Sequence, residues 1–100
     1  MIAREDVFEV LKRVEDPEIG LNVVDLGLVY RVDASDELIE VDFTLTYRGC
    51  PAERIIKKDI TASLKEAFGP VDTRVSTVWD PPWEPERMSE EARVSLGFPI

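Results

Sequence analysis

The sequence predicts a single two-layer α/β (α+β) domain, in which a small mixed sheet carries helices on one face. Residues 39–46 alternate between apolar and polar side chains, which is typical of a half-buried strand. Apolar residues recur at helical spacing over residues 3–14 and 51–68. Glycines and prolines separate these patterns, and the resulting order within residues 1–100 is α-β-β-α-β-(α).

The first half of the chain predicts one helix and a hairpin. The helix over residues 3–14 ends before Asp16-Pro17, because a residue that precedes proline disfavours the helical conformation. A first strand covers residues 28–32, and the polar turn at residues 33–37 leads into the second strand. On the second strand the core face is Ile39, Val41, Phe43 and Leu45, and the polar face is Glu40, Asp42, Thr44 and Thr46.

The second half predicts a long helix, a third strand and a short final helix. The long helix runs from about Pro51 to Phe68 and ends at Gly69-Pro70. A third strand is predicted over residues 71–79. Three prolines within residues 80–85 exclude regular structure there, and a short helix follows at residues 89–96.

Charge and composition favour protein partners over nucleic acid or membrane. The net charge is −9, from 21 acidic and 12 basic residues, which opposes a phosphate backbone. Arg54, Lys58 and Lys65 fall on one helix face, which we interpret as a solvated face. No apolar run approaches membrane-spanning length, and the N-terminus has no signal-peptide profile. We therefore expect a soluble cytoplasmic protein.

The absence of histidine removes several kinds of active site. Ser-His-Asp triads, Cys-His dyads and histidine-based metal sites are all excluded. The chain also has no glutamine and one asparagine, Asn22, while 33% of its residues are charged. This composition is typical of proteins from thermophiles.

Cys50 is the only cysteine and the main candidate for chemistry. A lone thiol fits a reducing compartment. Pro51 suits the first position of a helix, which would place Cys50 at the N-cap, where the helix dipole and unpaired N–H groups favour thiolate. Arg48 would add to this effect if its side chain turned towards the sulfur. The alternative is that Cys50 is a small buried apolar residue with a structural role.

Two further groups of residues are candidates for the surroundings of the thiol. Asp16 and Glu18 flank a rigid proline, and a carboxylate pair can bind a metal or orient a proton; the alternative is a solvated helix stop. Thr44 and Thr46 share the polar face of the predicted second strand, although ordinary strand propensity also explains them.

The Pro81-Pro82-Trp83 segment is the last candidate. An aromatic side chain held by prolines in a loop forms either a rim over a site or a cap on the core. Tryptophan is also common at protein interfaces.

An ordered set of motifs resembles the SufT/PaaD-type iron–sulfur cluster assembly domain, which is similar to the cytosolic iron–sulfur targeting proteins of eukaryotes. The motifs are Asp16-Pro17-Glu18, residues 24–30, residues 44–51, Pro81-Pro82-Trp83, residues 88–93 and Leu96-Gly97. The resemblance covers nearly the whole chain. It implies an iron–sulfur assembly-domain fold and an accessory, non-enzymatic role in maturing iron–sulfur proteins.

The resemblance also implies functional residues. The family's functional cysteine corresponds to Cys50, its acidic pair to Asp16 and Glu18, and its strand-end threonine to Thr46; Thr44 and Asp25 match as further site-lining residues. Pro82 and Trp83 are expected at the rim or at a partner contact. Residues 46–52 are more similar to the PaaD side, which serves a phenylacetyl-CoA oxygenase system, and the segment from Pro81 onward to the SufT side. PaaD-type proteins often carry a cysteine-rich extension, so its absence here favours a general maturation factor.

We therefore expect no tightly bound cofactor but transient contact of Cys50 with iron or an iron–sulfur cluster. The expected partners are the assembly machinery or client apoproteins. A homodimer with two facing Cys50 residues would fit a bridged cluster, and a monomer would fit transient delivery. Two other hypotheses are an interaction module with a structural cysteine and a small thiol enzyme whose base is Asp16 or Glu18.

Overall fold

A computed structural model describes residues 1–97. The helices are α1 (Arg4–Leu11), α2 (Glu53–Phe68) and α3 (Glu90–Ser95), and the strands are β1 (Val29–Ala34), β2 (Leu38–Phe43) and β3 (Asp72–Thr77). A single 3-10 turn, Pro85–Arg87, lies between β3 and α3. The order α-β-β-α-β-α confirms the predicted arrangement.

The three strands form one mixed sheet in the order β1-β2-β3. β1 and β2 are antiparallel neighbours, whereas β2 and β3 are parallel, with α2 as the crossover that a parallel pair requires. Val41 in the central strand pairs with Val32 on one side and Val75 on the other. The mixed sheet of the predicted fold is therefore confirmed.

Helices α1 and α2 cover one face of this sheet. The side chains that form the core come from all the main elements: Val7, Val10, Leu11, Val32, Ile39, Val41, Phe43, Ile56, Ile60, Leu64 and Val75. The opposite face is charged. Arg31 pairs with Asp42 at 2.9 Å, and Arg74 pairs with Glu40 at 3.1 Å. The alternation of β2 therefore separates a buried face from a solvated one.

The first helix is shorter than the sequence predicts, ending at Leu11 instead of residue 14. Val14 is buried as expected, but it belongs to an extended segment that turns back on itself. The Val23 N–H donates to the Val14 carbonyl at 2.9 Å, and the Asp16 N–H donates to the Leu21 carbonyl at 2.9 Å. This backbone pairing closes the loop of residues 16–21.

The second strand also ends early, at Phe43, and α2 begins at Glu53 instead of Pro51. The prediction that Thr44 lies on a polar strand face is wrong. The chain bends after Phe43, so that Thr44 is only 1% exposed and Leu45 is buried beside it. Residues 44–52 form a long connection instead of a strand and a helix start, and this connection carries Cys50.

The segment after β3 folds back over the loop that precedes β1. The Trp83 indole N–H donates to the Leu26 carbonyl at 2.8 Å, and the Ser89 N–H donates to the Asp25 carbonyl at 2.7 Å. Between them, Gly27 meets the Arg87 backbone so closely that a Cβ on Gly27 would lie 2.3 Å from the Arg87 carbonyl oxygen. The segment is therefore held against this loop by backbone contacts that leave no room for a side chain on Gly27.

Candidate functional site

Cys50 lies in the connection that leads into α2, two residues before the N-cap residue Ala52. The prediction that Cys50 is itself the N-cap is wrong, because the turn formed by residues 51 and 52 precedes the first helical residue. The Cys50 carbonyl accepts the Glu53 N–H at 3.2 Å. The backbone N–H of Ala52 lowers the pKa of the Cys50 thiol, so the start of the helix still acts on the sulfur.

The thiol of Cys50 is buried beside a carboxylate. The residue is 4% exposed, and its Sγ lies 3.4 Å from Glu18 Oε1. Burial, followed by the hydrogen bond and charge of Glu18, raises the pKa of the Cys50 thiol above its ordinary value. The Ala52 N–H acts in the opposite direction, as the sequence predicts, but it does not outweigh burial.

Two sequence expectations about the thiol are therefore corrected. The surroundings favour the protonated thiol and not the thiolate, because a buried sulfur next to a carboxylate disfavours a second negative charge. Arg48 does not counter this effect, since its guanidinium stacks on the Trp79 ring instead, 4.9 Å from the ring centre.

Tyr47 is part of the site although the sequence did not single it out. Its hydroxyl donates to the same Glu18 Oε1 that accepts from Cys50, at 3.1 Å. Desolvation of the hydroxyl and the hydrogen bond to Glu18 raise the pKa of Tyr47 to about 12, so the phenol remains a donor at neutral pH. The position of Tyr47, three residues before the only cysteine, was the one feature of the sequence that could have indicated a role at the site. Its partner Glu18 is 29 residues away in the chain, so their contact could not be predicted.

Asp16 shapes the loop that presents Glu18 to the thiol. Its side chain is 1% exposed, and Oδ1 accepts the Glu18 N–H at 2.9 Å in an Asx turn. The Asp16 carbonyl accepts from Ile19 at 3.1 Å and from Gly20 at 2.7 Å. Burial and the nearby Glu18 charge raise the pKa of Asp16, although the backbone N–H donors oppose this. Asp16 therefore positions Glu18 and does not itself contact the sulfur.

A groove of about 400 Å³ opens in front of the Glu18 carboxylate. Its lining residues are Glu18, Ile19, Leu26, Thr46, Trp83, Met88 and Leu96. Two predicted residues, Thr46 and Trp83, thus share one surface with Glu18. Cys50 does not line the groove, but its sulfur contacts the carboxylate of Glu18, which does.

The other predicted site residues lie outside this groove. Thr44 is buried, and its hydroxyl has no hydrogen-bond partner within residues 1–97. The Asp25 carboxylate accepts from the Asn22 amide at 2.8 Å, which stabilises the loop before β1. Pro82 is exposed beside Trp83. In the described part of the chain, no group of three or more acidic, cysteine or histidine side chains is arranged to hold a metal ion.

Residues 4–77 match the protein family described as iron–sulfur cluster assembly protein. The chain belongs to this iron–sulfur cluster assembly family. The resemblance read from the ordered motifs is therefore confirmed, and so is the small α/β fold that it implied.

Two bacterial family members and one solved structure are similar over most of the chain. The Fe-S protein maturation auxiliary factor SufT of Staphylococcus aureus is 45% identical over 85 residues, which are 84% of this chain and 97% of that protein. The Fe-S protein maturation auxiliary factor YitW of Bacillus subtilis is 40% identical, over 95% of this chain and 94% of that protein. A crystal structure of a domain of unknown function, DUF59, from Bacillus anthracis aligns with a TM-score of 0.90 and 37% identity, covering 96% of this chain and 92% of that one.

Two more distant relatives extend the family comparison. A protein of Escherichia coli, named as a putative component of 1,2-phenylacetyl-CoA epoxidase, is 37% identical over 91% of this chain and 55% of that protein, which confirms similarity to the PaaD side. An iron–sulfur cluster carrier protein of Deinococcus radiodurans is 31% identical over 65% of this chain and 19% of that protein. Within residues 1–97, no helix combines the length and apolar composition needed to cross a membrane.

Substitutions of Asp16 test its role in the loop. Asp16→Asn keeps the acceptor for the Glu18 N–H and removes a buried charge, so we expect its free energy of unfolding at pH 7 to equal or exceed that of the wild type. Asp16→Ala loses the acceptor, and we expect its free energy of unfolding to be about 1 kcal/mol lower than that of the wild type. Urea unfolding of the three proteins measures both effects.

The same comparison has a defined pH dependence. The pKa of Asp16 is raised in the folded state above the ordinary aspartate value of 3.8. The contribution of Asp16 to stability therefore declines as the pH rises above 3.8 and through the raised pKa. The stability of Asp16→Asn relative to the wild type should therefore increase from acid to neutral pH. A difference that stays constant over this range would contradict the burial of an ionisable Asp16.

The pH dependence of Cys50 alkylation tests the contacts of the thiol. Glu18→Gln removes the negative charge and replaces one carboxylate oxygen with an amide donor, so we expect the thiol pKa to fall and labelling below that pKa to accelerate. The Tyr47 hydroxyl also lowers the pKa of the Cys50 thiol, so Tyr47→Phe should shift this pKa in the opposite direction. Labelling rates in urea, where the three proteins should agree, serve as the control. Identical pH profiles for all three folded proteins would show that neither contact acts on Cys50.

Proposed function

We propose that this protein is an accessory factor in iron–sulfur protein maturation and that Cys50 is its functional thiol. Membership of the iron–sulfur cluster assembly family supports the general role. The S. aureus and B. subtilis relatives are both named maturation auxiliary factors. These names support an accessory role and not the role of an enzyme with a defined substrate.

The observation that carries the proposal is the contact between Cys50 Sγ and Glu18 Oε1. A thiolate is a ligand for iron, whereas a protonated thiol is not. When the sulfur binds iron, its proton must leave, and the Glu18 carboxylate is the acceptor at hydrogen-bond distance. The step forms one sulfur–iron bond, breaks the S–H bond and transfers the proton to Glu18, without any change in oxidation state.

The raised pKa of Cys50 suits a transient contact. In the free protein the thiol remains protonated, which limits its reactivity towards oxidants and stray metal ions. An approaching iron centre favours the thiolate, because a coordinated thiol loses its proton. Binding is therefore coupled to proton transfer, and release of iron returns the proton to the sulfur.

The groove in front of Glu18 is the proposed place where a client or the assembly machinery approaches. It combines a carboxylate and the Thr46 hydroxyl with the apolar side chains of Leu26, Trp83 and Met88. The hydrogen bond from Trp83 to the Leu26 carbonyl holds the rim in place. One sulfur completes only a small part of an iron coordination shell, so the partner supplies the remaining ligands.

The burial of Cys50 favours delivery by one copy over a cluster bridged between two copies. A bridging cluster requires both thiols to face one another at an interface, but Cys50 is only 4% exposed and its sulfur contacts Glu18. We therefore propose a transient iron or cluster contact with no resident cofactor. A free thiol of this kind is maintained in the reducing cytoplasm, where we place the protein.

Activation of a client tests the proposal. An apo-[4Fe–4S] dehydratase is incubated anaerobically with ferrous iron, sulfide and a cluster scaffold, with or without this protein. We expect the wild type to increase the recovered activity and Cys50→Ala to reduce it to the level without the protein. Val75→Ala, which truncates a buried residue away from the site, serves as a control for lost stability and should remain active.

A second candidate function is a pure interaction module in which Cys50 has a structural role. The observation that favours it is the burial of Cys50 within the core cluster. This candidate predicts that Cys50→Ala and the wild type activate the client equally, provided both are folded. Equal activation would therefore exclude the functional thiol and leave the groove as the working surface.

A further inference from the structure

The exposed face of α2 carries a stripe of basic side chains that the proposed site does not use. Arg54, Lys57, Lys58 and Lys65 recur at spacings of three, four and seven residues, which places them on one side of the helix. All four are exposed. From Arg54 to Lys65 this basic stripe is about 16 Å long.

The basic stripe is unpaired in the described structure. None of its four side chains has a carboxylate within ion-pair distance among residues 1–97, whereas Lys12, Arg31 and Arg74 each do. The four residues are a third of the 12 basic residues in a chain whose net charge is −9. Positive charge is thus concentrated on one surface of an otherwise acidic protein.

The shape of this surface suits a polypeptide segment. Thr61 and Ala62 lie between the basic side chains, and all six line a shallow groove of about 630 Å³ along the helix, with Glu53 as its one acidic residue. Two small residues in the middle allow a partner backbone to approach closely. The long side chains at both ends can then reach its carboxylates and cover apolar atoms with their methylene groups.

We propose that the basic stripe binds an acidic segment of a partner protein. Opposite charges increase the association rate and select partners at such a surface. A long nucleic acid would extend beyond the stripe onto the acidic remainder of the protein, so the overall charge opposes it. This inference goes beyond the role of the thiol, because it concerns the other side of α2 and does not depend on Cys50.

Fluorescence anisotropy with a labelled peptide tests the proposal. The probe is a helical peptide of about 12 residues, with glutamate at every third or fourth position, titrated at low salt. We expect the wild type to bind it and the triple variant Lys57→Gln, Lys58→Gln, Lys65→Gln to bind about tenfold more weakly. Binding by the wild type should also weaken as the salt concentration rises.

A matched variant controls for the total charge. Lys12→Gln, Arg13→Gln, Arg74→Gln changes the net charge by the same amount at other exposed positions, and we expect its affinity to stay within about twofold of the wild type. Equal losses in both triple variants, or no peptide binding by the wild type, would overturn the proposal.

Two other occupants are distinguished in the same experiment. Tighter binding of a single-stranded DNA oligonucleotide than of the peptide, lost in the α2 triple variant, would replace the acidic protein segment with nucleic acid. Self-association of the wild type in sedimentation, lost in the same variant, would assign the basic stripe to a second copy of this chain. The α2 triple variant keeps Cys50, so we expect it to activate the client as the wild type does when ferrous iron and sulfide are supplied without a scaffold protein. This assay tests the thiol separately from the basic stripe.

Discussion

The loop between α1 and β1 is organised by a carboxyl group that is almost completely withdrawn from water. Asp16 accepts the Glu18 N–H through its side chain and the Ile19 and Gly20 N–H groups through its carbonyl. These hydrogen bonds fix the backbone of Glu18, whose carboxylate then contacts Cys50 from a position 32 residues earlier in the chain. Burial disfavours the charged form of Asp16, so this geometry has a cost in stability. The thiol, its carboxylate and the groove all depend on that one turn.

The opposite wall of the groove depends on a second constraint. The segment from Trp83 to Ser89 lies against the loop of residues 25–27 because Gly27 has no Cβ and because two backbone carbonyls of that loop accept hydrogen bonds from the segment. The helix α2 then serves two surfaces. The connection that leads into its N-terminus carries the thiol, and its exposed face carries the basic stripe. One small domain thus has two separate surfaces, one apolar and carboxylate-bearing and the other cationic.

The order of helices and strands could be predicted because it depends on local sequence patterns. Element ends and the surroundings of Cys50 could not, because they depend on contacts between residues distant in the chain. Alternation along β2 and helical spacing in α2 identified the element order, because those periods follow from backbone geometry. The end of α1 was misplaced because Val14 is buried through pairing with Val23 and not through the helix. The thiol pKa had the wrong predicted direction, since a helix start is visible in sequence but burial beside Glu18 is not. Tyr47 was missed for the same reason: its partner is distant in the chain.

The proposed chemistry depends on the Cys50 sulfur itself binding iron, with Glu18 taking its proton. Iron K-edge X-ray absorption of the protein mixed anaerobically with ferrous iron, without added sulfide, measures this directly. In the absence of sulfide, cysteine and methionine are the only sources of sulfur, and Met1 and Met88 are present in every variant. The account predicts sulfur scattering from iron in the wild type and its loss in Cys50→Ser. An iron environment of oxygen and nitrogen alone in the wild type, or identical spectra for both proteins, would contradict it.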